Sequence, residues 1–510
     1  MQHLPRILLV AVATAALAPA QQSILFTGRF PFVSLDQPNE RPNGAMTHLE
    51  EFDFSYVTPG PGAVARTLLP ATAMQCYLGD ANNDGSYLKF AGLKTYFQNI
   101  QLGGLFVKAV DRAAVSWDKV YFTVRDEVAA DIEVFTANGT AVHTLVPGDW
   151  IRLLPSGNVE FFLTAAQLTP AIGVQAGAAN IGAHALLQSA AGDLYYVPVA
   201  GGHWVNGQAG GAVNAPDGSI IKIDAANVAY DASGNISTLA ANSARALLLE
   251  ASGSLSVRQL ALNANCMNRD GQPLVTTGVY GKTCGLAFDP NGGTFTPAYP
   301  DASGNYVPEP NLLFCSDAGS YAGTIWSTAN NGSLAVINGE VCGSATLGVP
   351  ATGSWLGVQF DYANFQPSLM GFTLVDGFAY QPLVIDQNDF GALHLATAQP
   401  TWDVDVGGPQ FTAVFMLLTL GPGAPGGVVP SVPLGILPPG LFTADSHPDL
   451  FLVSSPLTLG VTVTDFYGYG TVSIPNPNNG AYAGLTLMVQ ALGLQPSGFQ
   501  LSTPLLTQLD

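Results

Sequence analysis

Between residues 283 and 342 the apolar positions fall in short β-rich runs, each closed by Gly, Asn or Asp. The runs are Leu286-Ala-Phe-Asp289, Asn311-Leu-Leu-Phe314-Cys-Ser-Asp317, Gly323-Thr-Ile325-Trp326 and Asn331-Gly332-Ser-Leu334-Ala-Val336. They carry no helical period, and the turn residues sit where hairpins need them, so the pattern predicts a small antiparallel meander. The same order occurs upstream. Asp118-Lys-Val-Tyr121-Phe-Thr-Val124 followed by Gly148-Asp-Trp-Ile151 and Gly157-Asn-Val159 aligns with Gly192-Asp-Leu-Tyr195-Tyr-Val197, Gly218-Ser-Ile-Ile221-Lys-Ile223 and Ser233-Gly234-Asn-Ile236. One such unit cannot bury its own face, so repetition predicts units stacked on one another. Four-stranded units over the available length predict a ring of about five to seven blades.

From about Gly371 the pattern changes to strands at sandwich-like spacing between Pro-Gly loops: Phe372-Thr-Leu-Val375, Trp402-Asp-Val-Asp-Val406, then residues 411–420, 458–463, 470–474 and 485–492. The predicted fold class is therefore all-β, a propeller-like repeat domain over residues 21–370 followed by a C-terminal antiparallel β-sandwich over 371–510. Composition agrees. Gly (57) and Pro (36) are abundant in 510 residues, charged residues are only 10%, and 48% hydrophobic content suffices for more than one core.

Residues 1–20 carry Arg6, an apolar run from Ile7 to Leu17 and Ala18-Pro19-Ala20 before Gln21, the layout of a cleaved secretory signal. The run falls well short of the roughly 20 residues that span a bilayer. The expected location is secreted or at the cell surface, with no transmembrane span. Net charge is −20, and all 16 Lys and Arg lie between Arg6 and Lys282, so residues 283–510 hold 15 acids and no base. A half without cations has no means of clamping phosphate, which argues against nucleic acid as a partner.

The five cysteines are Cys76, Cys266, Cys284, Cys315 and Cys342. Export predicts disulfide bonding, but four cysteines in one window allow three pairings, and the odd one has no mate.

The runs Leu286-Ala-Phe-Asp289, Leu312-Leu-Phe314, Thr324-Ile325 and Asn331-Gly332 resemble one blade of the NHL and gluconolactonase-like propellers. That resemblance implies fold and carries no catalytic residue. The ending, Ile474-Pro-Asn-Pro, Ala483-Gly-Leu485-Thr-Leu487-Met-Val-Gln490-Ala491 and Leu501-Ser502, resembles a C-terminal β-domain of bacterial secreted proteins.

Chemistry-bearing patterns are few. Asp80-Ala-Asn82-Asn-Asp84-Gly85 places oxygen ligands at positions 1, 3 and 5 of a calcium-type loop, with calcium as the expected ion, although Leu88 and Ala91 stand where later ligands belong. Asp403 and Asp405 share a strand face, and Asp386 with Asp389 forms a second acidic turn. The seven histidines are scattered, and His184 and His203 flank one repeat, where surface placement is expected ahead of reach into a central channel. HExxH, GxSxG and P-loop patterns are absent from the sequence. The expectation is a non-catalytic binding or surface-associated protein for an extracellular glycan or protein. The alternatives are a calcium-dependent lactonase-like or hydrolytic propeller and a structural envelope component.

Overall fold

A computed structural model describes residues 23–28, 54–57, 66–69, 102–124, 132–136, 139–143, 145–154, 159–174, 181–208, 211–250, 266–267, 282–290, 292–301, 303–316, 325–328, 334–335, 341–342, 369–377, 383–387, 394–395, 400–409, 411–420, 432–443, 446, 449–450, 457–464, 469–476, 480–483 and 485–509. Among them strands dominate, as the sequence predicts, and the α-helix α1 (Ala165–Leu168) is a single turn held by a capping box between Thr164 and Gln167. No helix among the described residues is long and apolar enough to cross a membrane.

The chain begins with β1 (Ser23–Gly28), β2 (Phe54–Val57) and β3 (Arg66–Leu69). It continues through β4 (Leu102–Val107), β5 (Val120–Val124), the hairpin β6 (Ile132–Thr136) and β7 (Gly139–His143), β8 (Trp150–Leu153) and β9 (Val159–Leu163). After α1 come β10 (Gly173–Val174), β11 (Ala183–Gln188), β12 (Leu194–Pro198), β13 (His203–Gln208), β14 (Gly211–Ala215) and β15 (Ile220–Ile223). The hairpin β16 (Val228–Tyr230) and β17 (Ile236–Leu239) precedes β18 (Ala244–Leu248). The next strands are β19 (Cys266–Met267), β20 (Thr283–Phe288), β21 (Thr294–Phe295), β22 (Glu309–Pro310), β23 (Leu312–Ser316), β24 (Ile325–Ser327), β25 (Leu334–Ala335), β26 (Val341–Cys342) and β27 (Leu369–Val375).

Four sheets of this region share one plan. The first runs β4-β5-β8-β9, the second β11-β12-β15-β18 and onward through β13 to β10, and the third β20-β23-β24. The fourth, β27-β1-β2-β3, joins the two ends of the region, and Ser23 lies opposite Val375 in it. The leading strands meet in a cycle: β4 lies against β11 and β27, and β20 lies against the same two. Glycine makes that approach feasible. A Cβ on Gly371 of β27 would sit 2.5 Å from the Cα of Gly104 in β4, and one on Gly104 would collide with the carbonyl oxygen of His184 in β11.

Sheets pressed on both faces lose the inside–outside alternation of a half-exposed strand. Every residue of β4, β5, β12, β15, β18 is buried, and Phe106, Tyr121, Trp150 and Phe162 share one core with Leu186, Tyr196, Ile221 and Ala246 of the neighbouring sheet. Hydrogen bonds tie the sheets as well: Trp150 Nε1 donates to Ala183 O at 2.9 Å, and Thr27 Oγ1 to Gly103 O at 2.8 Å.

The aligned sequence repeats occupy equivalent strands. Tyr121, Tyr195 and Phe314 lie on second strands, and Ile151, Ile221 and Ile325 on third strands, in matching antiparallel register. One correspondence is corrected. Val159 opens the fourth strand of the first sheet, whereas Ile236 belongs to the separate hairpin β16-β17, and the fourth strand of the second sheet is β18. The boundary expected at 370/371 falls inside β27, which pairs with β1 along its length.

Beyond Gly377 lie β28 (Val384–Gln387), β29 (His394–Leu395), β30 (Thr401–Gly407), β31 (Ala413–Leu420), β32 (Val432–Pro433), β33 (Asp449–Leu450), β34 (Leu457–Val463), β35 (Tyr469–Pro475), β36 (Thr486–Gln495) and β37 (Gly498–Leu509). They form a three-stranded sheet, β28-β30-β35, and a five-stranded one, β29-β37-β36-β31-β34. Trp402, Val404 and Val406 of the first meet Val414, Met416, Val489 and Ala491 of the second in one core. Alternation survives here in β31, where Val414 and Met416 are buried between half-buried neighbours, whereas residues 487–491 of β36 are buried without a break.

Candidate functional site

The described charged side chains converge most closely around Glu309. This residue sits on the two-residue strand β22, is 2% exposed, and receives donors from three strands of the second sheet. Tyr195 Oη on β12 donates at 2.8 Å, Lys222 Nζ on β15 at 3.1 and 3.3 Å, and Arg245 on β18 through Nη2. Adjacent antiparallel strands β12, β15 and β18 bring these donors side by side, with Tyr195 opposite Lys222 and Lys222 opposite Arg245. Asp193 and Asp224 form an outer rim, 3.3 and 3.1 Å from Lys222 Nζ. Burial alone would push Lys222 down, but the carboxylates of Glu309, Asp224 and Asp193 together outweigh it and the lysine stands above its ordinary value. Tyr195 is raised by burial and then by the Glu309 charge. Both groups therefore hold their protons at neutral pH. The cluster is a fixed set of charge-assisted hydrogen bonds.

A second cluster occupies the equivalent place in the first sheet. Tyr121 Oη donates to Glu160 Oε2 and to Asn235 Oδ1, both at 3.1 Å, Arg152 Nε donates to Glu160, and Lys108 Nζ donates to Asn235 Oδ1 at 3.2 Å. Lys108 and Arg152 also lie over the Tyr121 ring, each 5.1 Å from its centroid, as Lys222 lies 5.3 Å from that of Tyr195. Lys108 is lowered by burial and by the Arg152 charge. Burial opposes ionisation of Glu160, but the Arg152 hydrogen bond and charge hold it below the usual carboxylate range.

Each cluster takes an acceptor from the unit that follows it in the chain. Asn235 ends the loop before β17 and reaches back to the first sheet, and Glu309 follows the loop at Asp301 and reaches back to the second. Both loops read Asp-Ala-Ser-Gly-Asn, at 231–235 and 301–305. Their geometry is the same: the aspartate Oδ1 accepts from the amides two and four residues on, at 2.8 and 2.9 Å in one and 2.9 and 2.8 Å in the other. Gly234 and Gly304 supply the left-handed residue, with φ of 72° and 83°. Sequence reasoning missed Glu309 and Asn235. The repeated pentapeptide was the available signal.

Asp80, Asn82 and Asp84 lie outside the described residues, as does Asp389. Asp403 lies on the face of β30 opposite to Trp402, Val404 and Val406, and in the strand register Asp405 pairs with Asp386 of β28. No three His, Cys, Asp or Glu side chains among the described residues are arranged to hold a metal ion. His184 and His203 do not meet at a channel: β11 and β13 are separated by β12, β15 and β18 in the sheet. His203 is instead buried, with neither ring nitrogen hydrogen-bonded, and burial pushes it down to about 4.

No family model matches the chain, and no curated protein matches it. Among solved structures, a tetra-tandem repeat from the extending region of a large adhesion protein aligns at 13% identity and TM-score 0.16, covering 80% of this chain and 99% of that one. Escherichia coli alpha-2-macroglobulin in its native conformation aligns at 10% identity and TM-score 0.19, and Salmonella alpha-2-macroglobulin at 11% and 0.19. The alignments cover 96% of this chain but only 31% and 37% of those. Likeness this slight carries no argument for fold or function.

Proposed function

We propose that the chain is an exported, non-catalytic binding or surface-associated protein, in which four sheets are blades of one ring and the last two sheets form an antiparallel sandwich beginning after Gly377. The observation that carries the reading is the cycle of leading strands β4, β11, β20 and β27, closed by the pairing of β27 with β1. Four blades, rather than five to seven, lie within the known range for closed rings. The leader-like residues 1–20 support export. A scaffold role is supported by the buried charges, since Lys108 in the first cluster and Lys222, Arg245 and Glu309 in the second are spent on holding one unit to the next. Ligand contact then falls to loops and exposed aromatics, of which Trp204 and Tyr306 are 40% and 57% exposed.

The test is cosedimentation of the full secreted chain with cell-wall and extracellular glycan and protein fractions. Saturable binding is expected, weakened about tenfold by Trp204→Ala or Tyr306→Ala. No saturable binding to any fraction, or turnover of a lactone or glycan, would overturn the reading.

A further inference from the structure

The third sheet holds a cysteine pair to which the function above gives no role. Cys284 on β20 and Cys315 on β23 stand directly opposite one another, both fully buried, with Sγ atoms 3.1 Å apart. Their sulfurs are not bonded in this structure. Directly opposed residues of antiparallel strands have Cα separations of roughly 4.5–5.5 Å. That range lies within the roughly 4.4–6.8 Å that a disulfide spans, so the backbone need not move to join them. A second opposition selects the other two cysteines of the window: Cys266 of β19 is in register with Cys342 of β26. Of the three pairings the sequence leaves open, register picks one.

We propose that Cys284 and Cys315 are an oxidation site that staples β20 to β23, with Cys266 and Cys342 as the companion pair and Cys76 left over. The chemistry is thiol–disulfide exchange. One cysteine thiolate attacks a disulfide-bearing oxidant and releases one thiol. The second cysteine then attacks the mixed disulfide and releases the other, so two electrons and two protons leave the pair and the oxidant becomes two thiols. The placement gives the staple a purpose. β20, like β4, touches both β11 and β27, so fixing it to β23 fixes it to its own sheet at the crowded centre. Burial then shields the bond from reductants. Oxidation in the cell rests on the export reading, but the pairing does not, and the test separates them.

The full chain is refolded from denaturant with reduced and oxidised glutathione, so burial cannot hide the thiols. Remaining thiols are alkylated in denaturant and the product is digested with pepsin. Trypsin is unsuitable because no Lys or Arg follows Lys282. The expected result is one peptide pair joining Cys284 to Cys315, another joining Cys266 to Cys342, and alkylated Cys76. The oxidised protein should melt several degrees above the reduced one, a difference that Cys315→Ser diminishes and Cys76→Ser leaves intact. Alkylation of both Cys284 and Cys315, or a bond from either to Cys266 or Cys342, would overturn the proposal. Should the linkage form in vitro while protein recovered from cells is reduced, the pairing stands and the export reading falls.

Discussion

The two buried clusters differ chiefly in where the carboxylate comes from. In the first sheet Glu160 is supplied by β9, a strand of the same sheet and 8 residues from Arg152, and both side chains are 19% exposed. In the second, Glu309 arrives from 87 residues beyond Lys222 and is 2% exposed. The local pair can relax into water if one partner goes. The distant one cannot, because Lys222 and Arg245 are enclosed with it. A carboxylate borrowed from the next unit thus acts as a tie between units, whereas a home-grown one trims its own sheet.

The largest effect that would break this comparison is at Glu309 itself. Glu309→Ala leaves two cations enclosed with only the more exposed carboxylates of Asp193 and Asp224 beside them, and should cost about 3–5 kcal/mol. Glu160→Ala should cost about 1–2 kcal/mol, since Arg152 keeps access to solvent. Urea unfolding of the two variants measures the difference. Equal losses would mean that neither burial nor origin in the next unit strengthens the tie.

How far the sequence reveals this plan depends on the range of each interaction. Strand type, the aligned second and third strands, and the all-β class follow from local runs such as Leu194–Val197 and Ile220–Ile223, because sheets buried on both faces force continuous apolar stretches. The closure of β27 on β1 is invisible, since nothing local in Phe372-Thr-Leu-Val375 names its partner. That is why the strand looked like the start of a tail. Glu309 hides for the same reason: within Tyr-Val-Pro-Glu-Pro it reads as a loop acid, and only tertiary placement surrounds it with cations.

A second test uses a polar group that no neighbouring unit satisfies. His203 is enclosed beside Tyr196, ring centroids 6.2 Å apart, with no acceptor or carboxylate to stabilise its charged form. Burial holds it at about 4, below its ordinary value of roughly 6.5. The unfolded chain therefore binds the proton first as pH falls. Stability is full above about pH 6.5 and declines toward about 4, with about 2 kcal/mol lost between roughly pH 7 and 5. His203→Gln should flatten that segment of the curve. An unchanged slope would show that the ring is charged in the fold.

The smallest expected effect is the sharpest, because it compares one loop sequence in two places. Asn235 and Asn305 end identical Asp-Ala-Ser-Gly-Asn turns with the same aspartate hydrogen bonds, so substitution of either leaves the turn's own wiring in place. Their surroundings differ: Asn235 is 4% exposed and accepts from Lys108 and Tyr121, whereas Asn305 is exposed. If the loops serve only as turns, Asn235→Ala and Asn305→Ala should match. If the first is a tie between units, Asn235→Ala takes one acceptor from a buried ammonium and from a phenol, leaving them Ser233 O and Glu160, and should cost about 1–2 kcal/mol, against less than about 0.5 kcal/mol for Asn305→Ala. Thermal unfolding of the pair at pH 7 decides between them. A difference that persists in an otherwise identical turn assigns the stability to the neighbouring sheet and none of it to the loop.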